Sequence, residues 1–70
     1  MLKYKIDILE ELKTRGYTTY KLRKDKWMGE AQIQKIRNNE LVSKESLNTL
    51  CKLLQCQPGD LLEYVEDVED

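Results

Sequence analysis

Residues 18–39, TTYKLRKDKWMGEAQIQKIRNN, constrain this chain more than any other stretch. They read as two short helical segments joined by Asp25-Lys26-Trp27-Met28, a connection too brief for anything but a tight turn. Helices this short do not persist in water by themselves, so their stability must come from packing. The remaining residues therefore have to supply a small core that holds the two segments at a fixed angle.

Local signals set the expected boundaries. Thr18 is suited to N-cap the first segment, residues 19–24, because its hydroxyl can accept an unpaired backbone N–H of the next turn. Leu22 is that segment's core anchor. Gly29 caps the second segment, which runs to Arg37 with Ile33 and Ile36 inward and Glu30, Gln32, Gln34, Lys35 and Arg37 outside. Asn38-Asn39 closes it, since asparagine tolerates the left-handed conformation.

The flanking chain reads as three more helices. Helix 1 is expected over residues 5–15, with Ile8, Leu9 and Leu12 as its apolar stripe and Gly16 closing it in the left-handed region. Residues 2–6, LKYKI, alternate apolar and polar, which fits either a short strand or an extended lead into helix 1. Residues 40–45 are a loop, and Ser46 is expected to cap helix 4 over residues 47–54. There Leu47, Leu50, Cys51 and Leu54 recur at i, i+3, i+4 and i+7. Gln57-Pro58-Gly59-Asp60 opens helix 5, with Pro58 at the first helical position, where its missing N–H costs nothing. The domain is expected to span residues 1–65, with residues 66–70 an acidic tail that frays.

Seventy residues make one domain. Apolar residues are 40% of the chain and charged residues 36%, which suits a folded domain with a charged surface. No apolar run approaches the roughly 20 residues that cross a bilayer, and the N-terminus lacks the pattern of a signal peptide, so the expected compartment is the cytoplasm. The net charge of −1 conceals a partition. Residues 1–45 hold 11 Lys/Arg against 7 Asp/Glu, a balance of +4; residues 46–70 hold 1 against 6, a balance of −5. The helical pair lies in the basic part, where phosphate neutralisation would depend on local cations. Catalysis is not expected. There is no histidine to act as a base, and no glycine-rich phosphate loop. No metal-ligand cluster appears, so no metal and no cofactor are expected. Cys51 and Cys56, five apart and without histidine partners, read as small hydrophobes in a reducing compartment.

The order of elements resembles the phage repressor/Cro-type (XRE) helix-turn-helix family, whose members are all-α, five-helix, lambda-repressor-like bundles. Thr18 with Leu22 is similar to the start of that family's second helix, and Ile33-Gln34-Lys35-Ile36-Arg37-Asn38 to its isoleucine-anchored third. Ser46-Leu47-Asn48-Thr49-Leu50, followed by Leu53-Leu54-Gln55-Cys56, is similar to its fourth. Gln57-Pro58-Gly59-Asp60-Leu61-Leu62-Glu63-Tyr64 is similar to the ending of small single-domain members. Three positions depart from the pattern: Arg23 in place of a small alanine, Trp27 in place of a turn glycine, and Thr19 in place of a phosphate-clamping glutamine. Arg23 must either snorkel outward or widen the helix crossing, and Trp27 requires a rebuilt turn.

The resemblance implies a sequence-specific double-stranded DNA-binding transcriptional regulator, a repressor acting by operator occupancy. It puts base contacts at Glu30, Ala31, Gln32 and Lys35, whose side chains match the donor and acceptor code of the major groove. Thr18, Thr19, Lys21, Arg37, Asn38 and Lys44 are candidates for backbone phosphates. Arg23 is open between a phosphate contact and an ion pair with a nearby carboxylate. Trp27 is expected to fill core. Leu61, Leu62, Tyr64 and Val65 either complete the monomer core or form a two-fold homodimer through helix 5. The alternative on the same scaffold is a protein-interaction module, an antitoxin or an antirepressor, with weak or no DNA binding; the acidic tail, Glu30 and the three departures from the family pattern favour it.

Overall fold

The structure, a computed structural model, describes residues 1–66. Five helices follow in order: α1 (Ile8–Thr14), α2 (Thr19–Lys24), α3 (Glu30–Arg37), α4 (Lys44–Leu54) and α5 (Pro58–Leu61). A two-stranded antiparallel ribbon of β1 (Leu2–Tyr4) and β2 (Leu62–Tyr64) joins the two ends of the chain. The fold is therefore mainly helical, as the resemblance implies, with one small sheet added. Of the tail assigned to residues 66–70, only Glu66 falls among the described residues, and it is exposed.

One core unites the helices. Ile8 and Leu12 of α1, Leu22 of α2, Ile33 and Ile36 of α3, and Leu50, Leu53 and Leu54 of α4 are buried together with Met28, Val42 and Leu61. Of the stripe read in helix 4, Leu50 and Leu54 are buried, while Leu47 and Cys51 are half-buried against the core.

Several boundaries agree with local chemistry. Helix α2 spans the expected residues, and the Thr18 hydroxyl accepts from the Lys21 N–H at 3.2 Å. Gly29 caps α3, and Gly16 has φ +89°, a conformation that a side chain would strain. The turn between α2 and α3 closes with Trp27 in it. Its left-handed residue is Lys26, at φ 59°, and the N–H of Trp27 reaches back to the Leu22 carbonyl at 2.9 Å. Trp27 lies half-buried against the core, with the Lys52 ammonium 5.5 Å from its ring centroid.

Three expectations are corrected. Helix α1 begins at Ile8, not Lys5, because the backbone just after the ribbon is held elsewhere: the Lys5 N–H donates to the Leu61 carbonyl at 2.8 Å, and Asp7 caps the helix instead. Helix α4 begins at Lys44. Its cap is Ser43, whose hydroxyl accepts from the Ser46 N–H at 3.2 Å, so Ser46 lies buried in the first turn rather than capping it. Helix α5 is a single turn, closed at its start by the Asp60 carboxylate accepting the Gln57 N–H at 2.9 Å. At Leu62 the backbone turns extended, φ −123° and ψ 150°, because residues 62–64 pair with β1 in the register Leu2↔Tyr64, Lys3↔Glu63, Tyr4↔Leu62. The open question over residues 2–6 is thereby decided in favour of a strand at Leu2–Tyr4. The Tyr4 hydroxyl donates to the Glu40 carbonyl at 2.7 Å and ties the ribbon to the α3–α4 connection.

Candidate nucleic-acid interface

Helix α3 has two sides. Ile33 and Ile36 are buried against the core. At a helical rotation of about 100° per residue, the side opposite them carries Ala31, Gln34, Lys35 and Asn38. Ala31, Gln34 and Asn38 are exposed and Lys35 is half-buried. Gln34 is the residue of this face with no expected DNA contact, to base or to phosphate. Its spacing, three beyond Ala31 and four beyond Glu30, is the signal that places it there.

The two flanks of this face are held differently. On the α4 side, the Gln32 side-chain oxygen accepts the Ser43 N–H at 2.8 Å in a part-buried setting. The residue expected to read a base thus binds the protein's own backbone. On the α2 side, Glu30 gathers a polar network. Arg23 Nη1 lies 2.5 Å from Glu30 Oε2, Gln34 Nε2 donates to Glu30 Oε1 at 3.0 Å, and Arg37 Nη1 stands 3.9 Å from that same oxygen. The Arg23 and Gln34 hydrogen bonds, with the two nearby guanidinium charges, hold the Glu30 carboxyl below the ordinary glutamate range. Arg23 therefore takes the outward course, and its ambiguity is resolved here as an ion pair. The carboxylate at the leading end of α3 is also balanced by two cations, which offsets its repulsion of phosphate.

The other candidates surround this face. Thr18, Lys21, Arg37, Asn38 and Lys44 are exposed and Thr19 is half-buried. Thr18 and Thr19 lie at the start of α2, Asn38 caps the end of α3, and Lys44 is the first residue of α4. Of the residues considered for a dimer, Leu61 is fully buried in the monomer core, so its side chain is not on the surface. Leu62 and Val65 are half-buried and Tyr64 is 70% exposed. Leu62 and Tyr64 belong to β2, not to a helix, which corrects the expected helical interface. Among the described residues no group of three or more His, Cys, Asp or Glu could hold a metal, and no helix is long and apolar enough to cross a membrane.

Two short helices joined by a tight turn, with the second anchored by isoleucines and uncovered on its far side, define a helix-turn-helix DNA-binding domain. The chain belongs to the family of the Cro/C1-type HTH DNA-binding domain, whose model matches residues 7–67. It is a DNA-binding regulator. Comparisons with curated proteins and with solved structures gave no match.

Proposed function

We propose that the protein is a sequence-specific transcriptional repressor that acts by occupying its operator. The observation that carries this reading is the uncovered outer face of α3, flanked by the cations of α2, α3 and the start of α4. Ala31 and Lys35 are placed on bases, a small apolar group suiting a thymine methyl and an ammonium suiting guanine. Glu30 and Gln32 serve at the edges of that contact, since the oxygens of both are engaged within the protein. Thr18, Thr19, Lys21, Arg37, Asn38 and Lys44 set the register on phosphates. Occupancy of a site that overlaps a promoter is sufficient for repression.

A two-fold homodimer on a palindromic site is part of the proposal. Its apolar contact falls on Tyr64 with its cross-strand neighbour Leu2, which is 52% exposed, and on Val65 beside them. The protein-interaction reading is set aside because Glu30, which favoured it, is paired with Arg23 rather than presented as a bare charge.

The experiment is selection of bound sequences from a random duplex pool, coupled to elution from mixed-sequence duplex by rising salt. The expected result is a recovered consensus with half-site symmetry and release that tracks salt. Passage through the duplex column at low salt would reject the reading.

A further inference from the structure

We propose that Arg23 of α2, held in place by the carboxylate of Glu30, reads the major-groove edge of a guanine. This rests on the sequence-specific DNA binding proposed above. Arg23 follows the fully buried Leu22, yet its side chain leaves the core and ends beside the first residue of α3. A guanidinium from the second helix thus stands at the leading end of the third, which is the part of a helix-turn-helix that meets base edges.

The geometry suits reading rather than simple charge contact. The ion pair uses Nη1, and 42% of the Arg23 side chain remains exposed, so the protein does not enclose the planar fork, which carries further donors. Pinning one nitrogen fixes the plane of the fork before DNA arrives and lowers the conformational freedom lost on binding. A fork with two parallel donors matches guanine O6 and N7. Glu30 is the positioning residue. It is itself steadied by Gln34 at 3.0 Å, and both of its oxygens already accept a hydrogen bond within the protein, which suits it to positioning Arg23 rather than to reading cytosine. An exposed ion pair contributes little to folding, which leaves orientation as the main consequence of this one.

The test is random-duplex selection with the unaltered chain, Arg23→Ala, Arg23→Lys, Glu30→Ala and Glu30→Gln. Thermal melting of each variant and the salt dependence of binding are measured alongside. The unaltered chain is expected to select a guanine that Arg23→Ala no longer prefers, with discrimination there falling about 5- to 150-fold and the rest of the site unchanged. Arg23→Lys keeps the salt slope and loses the same guanine. Glu30→Ala weakens the preference at that position alone, with melting preserved, and Glu30→Gln, which retains an oxygen acceptor, restores part of it.

An unchanged consensus for Arg23→Ala overturns the inference, as does uniform weakening with the salt slope reduced by about one phosphate. Failure of the unaltered chain to select any sequence overturns the repressor reading and this inference with it. Failure of the variants alone overturns only this one.

Discussion

The side-chain oxygen of Gln32 in α3 accepts the backbone N–H of Ser43, the cap of α4, at 2.8 Å. The third and fourth helices are thereby joined at one point on the edge of the exposed outer face of α3. Gln32→Ala leaves a part-buried N–H without its acceptor and is expected to cost about 1–3 kcal/mol. Gln32→Glu keeps an acceptor and should cost less. Chemical denaturation of the three proteins checks the order.

The caps give a second expectation. Thr18→Ala and Ser43→Ala each remove a hydroxyl that accepts a first-turn N–H, at 3.2 Å in both cases. Each is expected to cost about 1 kcal/mol. The two lie on separate helices, so their effects should add in the double variant. A marked departure from additivity in urea unfolding would show that the two caps communicate.

Leu61 and Tyr64 should separate core from surface. Leu61 is fully buried and Tyr64 is 70% exposed. Leu61→Ala is expected to destabilise the monomer by about 2–5 kcal/mol. Tyr64→Ser should leave monomer stability nearly unchanged and weaken self-association. Denaturation together with sedimentation over a concentration series distinguishes the two effects.

Glu30 titrates below the ordinary glutamate range because Arg23, foremost, and Gln34 bind its charged form. The folded state thus holds this proton less tightly than the unfolded chain does. The associated stabilisation is present above the ordinary glutamate range and is lost as pH falls through the lowered folded value. Carboxyl chemical shifts should place Glu30 below the other glutamates, and Arg23→Ala should bring it back toward them. A Glu30 midpoint among its neighbours would contradict the network.

Lys35→Ala is expected to relax base preference by roughly 1–3 kcal/mol of discrimination at one position. Lys21→Ala should instead weaken binding evenly across sequences and lower the salt slope by about one. Parallel titrations of a selected duplex and a scrambled one, at several salt concentrations, separate the two roles.

Much of the fold was legible because its signals are local. The α2 bounds, the Thr18 and Gly29 caps and the left-handed Gly16 each depend on residues within one turn of the chain. The errors arose where two local solutions compete. Ser43 and Ser46 are both good caps three residues apart, and packing of the α3–α4 connection, with Gln32 on the Ser43 N–H, favours the earlier one. Helix 5 had a sound beginning in Pro58 and Asp60. Its length was set by β1, whose pairing with residues 62–64 drew the backbone out of the helix. In the turn that holds Trp27, only the closed structure shows Lys26 taking the left-handed position.

The candidate interface divides the same way. Periodicity alone put Ile33 and Ile36 inward and left a polar face on α3, because rotation per residue is a property of the helix itself. The ion pair of Arg23 with Glu30, seven residues away on another helix, follows from no such rule. Nor does the ribbon that joins Leu2 to Tyr64 across nearly the whole chain. The amino-acid order by itself settled that there are five helices, the caps at Thr18 and Gly29 and the sidedness of the third, since those depend on neighbours a few bonds away. Which polar groups stay turned toward solvent, and which are taken up by the protein, was decided only when separate elements met, because a hydrogen bond between them exists at one packing and not at another.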